Sequence, residues 1–112
     1  MTEILVCDDD LLQARSLAKI VKLAGEFLAE DYGQSVSVSA MGSPQEALAY
    51  VADRQVQRGI YFLDIEFAKS EMDGLDLAEE LLRLDPQGQI VFVTTHSELA
   101  LQTFQQIGRA HV

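Results

Sequence analysis

Asp8-Asp9-Asp10 and Asp64 are the residues best placed to do chemistry. Each follows directly on a short apolar run, Glu3–Cys7 (EILVC) or Ile60–Leu63 (IYFL). A carboxylate at the end of a buried strand is penalised by burial unless a partner, water or a metal compensates its charge. One such acid is ordinary, because Asp often opens the loop after a strand. Two acidic strand ends in one chain ask for a further reason. Carboxylates brought into one cleft repel each other, so they hold protons or recruit a hard cation. Oxygen ligands of this kind suit Mg²⁺, which keeps part of its water shell and often bridges to phosphate.

Such convergence needs the two strands to be neighbours. Glu3–Cys7 reads as the first strand and Leu11–Glu30 as a helix. In that helix Leu17, Ile20, Val21, Ala24, Phe27 and Leu28 recur every three or four residues on one face. Gly25 weakens its interior and Gly33 ends it. Gln34–Ala40 alternates Val with Ser, the pattern of a half-exposed edge strand. Ser43-Pro44-Gln45-Glu46 starts a second helix, with Ser as N-cap, Pro in the first turn and Glu closing a capping box. It runs to Asp53 with Ala47, Leu48 and Val51 inward. Gly59 opens the strand that ends at Asp64, and a polar loop, Ala68–Gly74, leads to a helix over Leu75–Leu84 stopped at Asp85-Pro86. Ile90–Val93 with Thr94 reads as a fourth strand, and Ser97 caps a last helix from Glu98 to Gln106. This β-α alternation predicts an α/β fold, a doubly wound parallel sheet with helices on both faces and right-handed crossovers. Ligands of such sheets sit beyond the carboxyl ends of the strands, where the strand order reverses. Asp8–Asp10 and Asp64 meet there if the first and third strands are adjacent.

Composition limits the alternatives. A chain of 112 residues has room for one core, and 48% hydrophobic residues with a mean hydropathy of +0.08 argue for a folded globule. No apolar run approaches the roughly 18–20 residues of a membrane span. The opening MTEILVCDDD has no basic region ahead of its apolar stretch, unlike a signal peptide. Cys7 is the single cysteine, which excludes an internal disulfide and suits a reducing cytoplasm. The net charge of −10 opposes binding of nucleic-acid phosphates by this domain and is compatible with a cation site.

Four features together, a strand followed by Asp8-Asp9, a strand followed by Asp64, Met72-Asp73-Gly74 before a helix, and a strand followed by Thr94, resemble the receiver domain of two-component response regulators. CDDD, YFLDIEF and LDPQGQIVFVTTHSELALQTF are similar to one subgroup, the quorum-sensing and peptide-pheromone regulators that carry a LytTR DNA-binding domain after the receiver. The resemblance covers residues 3–107. It implies a flavodoxin-like, three-layer α/β/α receiver over residues 1–107, with 108–112 an unstructured tail. It further implies that Asp64 is the phosphoryl acceptor and that Asp9, Asp64 and the backbone carbonyl of Glu66 bind Mg²⁺. Asp8 acts through a coordinated water, and Thr94 hydrogen-bonds a phosphoryl oxygen. The implied donor is a sensor histidine kinase and the implied output is transcription regulation through the LytTR domain. The resemblance also implies a domain that assists its own phosphorylation and is not an enzyme. The loop from Asp64 to Gly74 is longer than the commonest receiver form and lacks its usual proline. No Lys follows Lys69, and too few residues follow Thr94 for a fifth strand and helix. The reading is therefore a truncated receiver lacking the last β-α unit. An edge exposed in that way favours a homodimer or a strand-exchanged oligomer.

Two rival readings use the same residues differently. Asp8-Asp9-Asp10 contains an Asp-x-Asp similar to that of haloacid-dehalogenase-like phosphohydrolases, with Asp8 as nucleophile, although Leu12 stands where that family has Thr or Val. The other rival is a protein-interaction module that accepts no phosphate. Among the remaining polar residues, Asp10 reads as a solvated residue at a helix start and Cys7 as core. Thr95 competes with Thr94 for the pocket, because alternation lets only one of them face it. His96 reads as a loop residue and His111 as part of the tail.

Overall fold

In a computed structural model, which describes residues 1–68 and 70–93, strands and helices alternate from end to end. The elements are β1 (Thr2–Cys7), α1 (Leu11–Tyr32), β2 (Val36–Met41), α2 (Pro44–Arg54), β3 (Ile60–Leu63), α3 (Gly74–Leu84) and β4 (Gln89–Phe92). Each helix starts on the chemistry its sequence advertises. The Asp10 side chain accepts from the amides of Leu12 and Gln13, capping α1. The Ser43 hydroxyl accepts from the Glu46 amide, with Pro44 in the first turn of α2, but the expected capping box is not closed: the Glu46 carboxylate accepts from the Gly42 amide, one residue before Ser43. Asp73 and Asp76 form a reciprocal capping box at α3. At the other end of α1, Gly33 sits at φ 70°, a left-handed position that costs glycine nothing.

The four strands form one parallel sheet in the order β2-β1-β3-β4. The chain runs outward from β1 to β2, then back across β1 to β3 and on to β4. Right-handed crossovers therefore place α1 on one face and α2 and α3 on the other. Side-chain alternation divides β1 between them. Leu5 and Cys7 join Tyr61 and Leu63 of β3, Ala47 and Val51 of α2, and Leu77, Ala78 and Leu81 of α3 in a single buried cluster. Full burial of a Leu such as Leu5, Leu63, Leu77 or Leu81 contributes about 2 kcal/mol. Ile4 and Val6, also buried, point to the α1 face.

Asp85, expected only as a helix stop, has a structural task at the amino end of β3. It is buried, and its carboxylate accepts from the amides of Arg58 and Gly59, both at 2.8 Å, and from the Tyr61 hydroxyl at 2.6 Å. Three donors satisfy a carboxylate that burial alone would penalise.

The face assigned to α1 needs correction. Ala14 and Gly25 are buried, and Leu17, Ala18 and Val21 are half-buried. Ile20 and Phe27 are 64% and 72% exposed, and Ala24 is exposed as well. The reason lies at Gly25, where an added Cβ would run into the Cγ2 of Val36. With no side chain there, the backbone of α1 settles directly on β2 and turns Ile20 and Phe27 outward. The boundaries shift by small amounts. α1 continues to Tyr32, β2 is Val36–Met41 and lies at the edge as expected, and β4 is Gln89–Phe92. Thr94, Thr95, His96, the expected last helix, and the 108–112 tail lie outside the described residues.

Candidate functional site

Register decides the geometry. β1 and β3 are hydrogen-bonded neighbours, with Cys7 opposite Leu63, so Asp8 and Asp64 leave the sheet side by side. The Asp64 amide donates to the Cys7 carbonyl at 3.1 Å, and the Asp8 amide donates to the Met41 carbonyl at 3.1 Å. Both acids are thus fixed by backbone bonds immediately past their strands. The strand order reverses between β1 and β3, the place where a doubly wound sheet opens a crevice.

Carboxylate oxygens of Asp8, Asp9 and Asp64 all lie within 4.8 Å of one another, and the three residues are half-buried. The sequence expectation that the two acidic strand ends converge is met. Asp10 stays outside the trio as the α1 cap. Glu66, of which only the backbone carbonyl was expected to serve, has an exposed side chain that does not join the trio. Burial pushes the Asp8 and Asp64 carboxyls above their ordinary range. For Asp8, the amide of Asp10 pulls the other way and the charges of Asp64 and Asp9 add to the rise. For Asp64, the amides of Ile65 and Glu66 oppose burial, and Asp9 and Glu66 add to it. Three converging oxygen-donor side chains, of which Asp8 and Asp64 resist carrying unneutralised charge, fit a small hard cation.

The loop after Asp64 is folded back onto the site. Its apolar residues Ile65 and Phe67 are buried, and the amide of Ala68 donates to Asp9 Oδ2 at 2.7 Å. Gly74, the first residue of α3, donates to the Ile65 carbonyl at 2.6 Å. A Cβ on Gly74 would strike the Asp64 carbonyl oxygen and come within 2.8 Å of Ile65 Cα. Sequence reading found Met72-Asp73-Gly74 by pattern and missed these contacts, because a backbone approach across ten residues leaves no periodic trace. Beneath the acids, on the α1 side, lies a cavity of about 120 Å³ reached by Asp8, Asp64, Gln13, Phe62 and Val93. Cys7 behaves as core: its Sγ donates to the Ser43 carbonyl, and burial, reinforced by Asp8, pushes the thiol up to about 12.

The description "response regulator receiver domain" matches residues 4–110. The chain is 36% identical over 102 residues to accessory gene regulator protein A of Staphylococcus epidermidis, and 34% identical to that of Staphylococcus aureus. Each alignment covers 91% of this chain and 41% of the relative, so the chain spans less than half the length of these curated relatives. Among solved structures, NtrX from Brucella abortus superposes with a TM-score of 0.73 at 26% identity, covering 93% of this chain and 21% of that one. A receiver domain protein from Clostridium thermocellum gives a TM-score of 0.73 at 17% identity over 99% of this chain and 78% of that one, a likeness of fold.

Proposed function

The chain belongs to the response regulator receiver domain family, and from that membership we propose that Asp64 is its phosphoryl acceptor. The observation that carries this reading is the convergence of Asp8, Asp9 and Asp64 at the sheet's switch point. An Asp64 carboxylate oxygen attacks phosphorus in line as the bond to the donor's leaving group breaks, giving an acyl phosphate. Asp9, Asp64 and the Glu66 carbonyl would hold Mg²⁺, with Asp8 acting through water; when bound, the ion supplies countercharge for the phosphoryl oxygens. The backbone bonds at Asp8 and Asp64 fix where the acids stand, and the Ala68 amide orients Asp9. Thr94, outside the described residues, is assigned the hydroxyl that bonds a phosphoryl oxygen. The donor is a sensor histidine kinase in the cytoplasm. By likeness to the accessory gene regulators, phosphorylation governs a LytTR-type DNA-binding output in quorum-sensing control of transcription.

Intact mass after incubation with Mg²⁺ and acetyl phosphate tests the acceptor. One added phosphoryl group on the wild type and none on Asp64→Asn is the expected result. An adduct that survives Asp64→Asn and disappears in Asp8→Asn overturns the assignment and moves the nucleophile to Asp8.

A further inference from the structure

The loop between Asp64 and α3 is tied down at several points, and one of its amides reaches the acids. Phe67 is 5% exposed and belongs to the core cluster shared with α2 and α3, although its neighbours Glu66 and Ala68 are both exposed. A ring buried between two exposed residues anchors the backbone on either side of it, since aromatic side chains bury more apolar area than most. The Ser70 amide donates back to the Phe67 carbonyl at 3.3 Å, and the Ser70 hydroxyl accepts from Gln45 Nε2 of α2 at 3.3 Å. Between these ties the Ala68 amide donates to Asp9 Oδ2 at 2.7 Å, across 59 residues of chain. Ala68 is itself exposed, so what it brings to the site is that amide. Asp8 is held in a similar way, its Oδ1 accepting from the Asp10 amide at 2.9 Å. An oxygen that already accepts a short hydrogen bond from an amide has less to give a cation. Asp8 and Asp9 are each left to coordinate through one oxygen. Mg²⁺ suits that arrangement, being small, octahedral and content to keep waters, whereas Ca²⁺ takes more oxygens and often both from one carboxylate.

We infer that Phe67 and the Ala68 amide set the cation preference of the site. Phe67, seated in the core, holds the Ala68 amide on Asp9 Oδ2, and the amide restricts Asp9 to one-oxygen coordination, which favours Mg²⁺ over Ca²⁺. The inference rests on the reading of Asp8, Asp9 and Asp64 as the cation site of a phosphoryl acceptor. Phe67 and Ala68 act through Asp9 and are positioning residues. Partners of this kind, one step behind a metal ligand, commonly govern how tightly the metal is held. With the amide gone, Asp9 is free to turn both oxygens to a cation. Ca²⁺ then gains a ligand that it can use, and Mg²⁺ loses one that was held ready in place.

Amide chemical shifts of the full chain, followed by NMR in parallel titrations with Mg²⁺ and Ca²⁺, give both dissociation constants and hence the preference. The wild type binds Mg²⁺ more tightly than Ca²⁺. An ester in place of the peptide bond between Phe67 and Ala68, made by incorporating lactate at position 68, deletes the donor and keeps every side chain. It weakens Mg²⁺ by about tenfold and leaves Ca²⁺ little changed. Phe67→Ala, where it folds, shifts the preference the same way, and Phe67→Leu restores it. Val51→Ala, in the same cluster on α2, lowers stability and keeps the wild-type preference. An ester that weakens both cations equally, or neither, overturns the proposal and leaves the phosphoryl-acceptor reading standing. A wild type that binds Ca²⁺ as tightly as Mg²⁺ does the same. A folded Phe67→Ala with the wild-type preference overturns the anchor, and a shifted preference in Val51→Ala overturns it by tracing the effect to core stability. A wild type that binds neither cation removes the cation site, and with it the reading on which the proposal rests.

Discussion

At the level of single residues, Asp8 and Asp64 set the price of the site. Burial raises their carboxyls from the ordinary value of 3.8, so in this range the folded chain holds protons that the unfolded chain has released. Their contribution to stability is therefore fullest below that ordinary value and is lost as pH rises through the raised values. Thermal melts of wild type and Asp64→Asn in the absence of divalent cation check the sign. As pH rises from about 4 to 7 the wild type loses ground to the variant in Tm. Mg²⁺ at pH 7 restores the wild type, by about 1.4 kcal/mol at a tenfold excess over Kd, and does little for Asp64→Asn. A wild type that gains on the variant with rising pH contradicts the picture of an uncompensated acid. These acids were legible in the sequence because each interrupts an apolar run. Asp85 was not, since the three donors that justify its burial come from residues 24 to 27 positions away.

At the level of elements, caps and short strands read well and the buried face of the longest helix did not. Asp10 and Ser43 accept from amides two or three residues on, and the Gly33 amide donates to the Ala29 carbonyl one turn back, so their roles are written in nearby letters. The outward turn of Ile20 and Phe27 depends on Val36 lying against Gly25, a tertiary contact that periodicity cannot contain. Gly74 depends on tertiary placement in the same way and ties α3 to the backbone of Asp64 and Ile65. Gly74→Ala must push either the Asp64 carbonyl or the start of α3 aside. The expected outcome is a loss of about 2 kcal/mol in urea unfolding. The rate of phosphorylation from acetyl phosphate should also fall by about tenfold or more, since a small misplacement of a reacting group is costly. Gly33→Ala serves as the control: it disturbs a left-handed cap, with nothing within 4 Å of the added Cβ, and leaves the phosphorylation rate unchanged.

For the whole molecule, alternating β and α segments with apolar strands were enough to predict a parallel doubly wound sheet, because handedness leaves few ways to connect them. Which strands become neighbours could only be an expectation, and on it hung the meeting of Asp8 with Asp64. The observed order gives β1 and β3 hydrogen-bonded partners on both sides, whereas β2 and β4 each have one among the described strands. Hydrogen exchange should follow this division, slowest at Leu5–Cys7 and Tyr61–Leu63 and faster along β2 and β4. Equal protection across all four strands would count against it. In mechanical terms, the acids are mounted on the two stiffest beams of the frame. A charge placed on Asp64 meets little give along β3. Strain from such a charge would fall instead on the parts joined to that end of the sheet, the folded-back loop that Gly74 presses on and the exposed rim at Val93, whose amide is bonded to Leu63. The doubly paired centre would then serve as a fulcrum, holding still while its surroundings adjust.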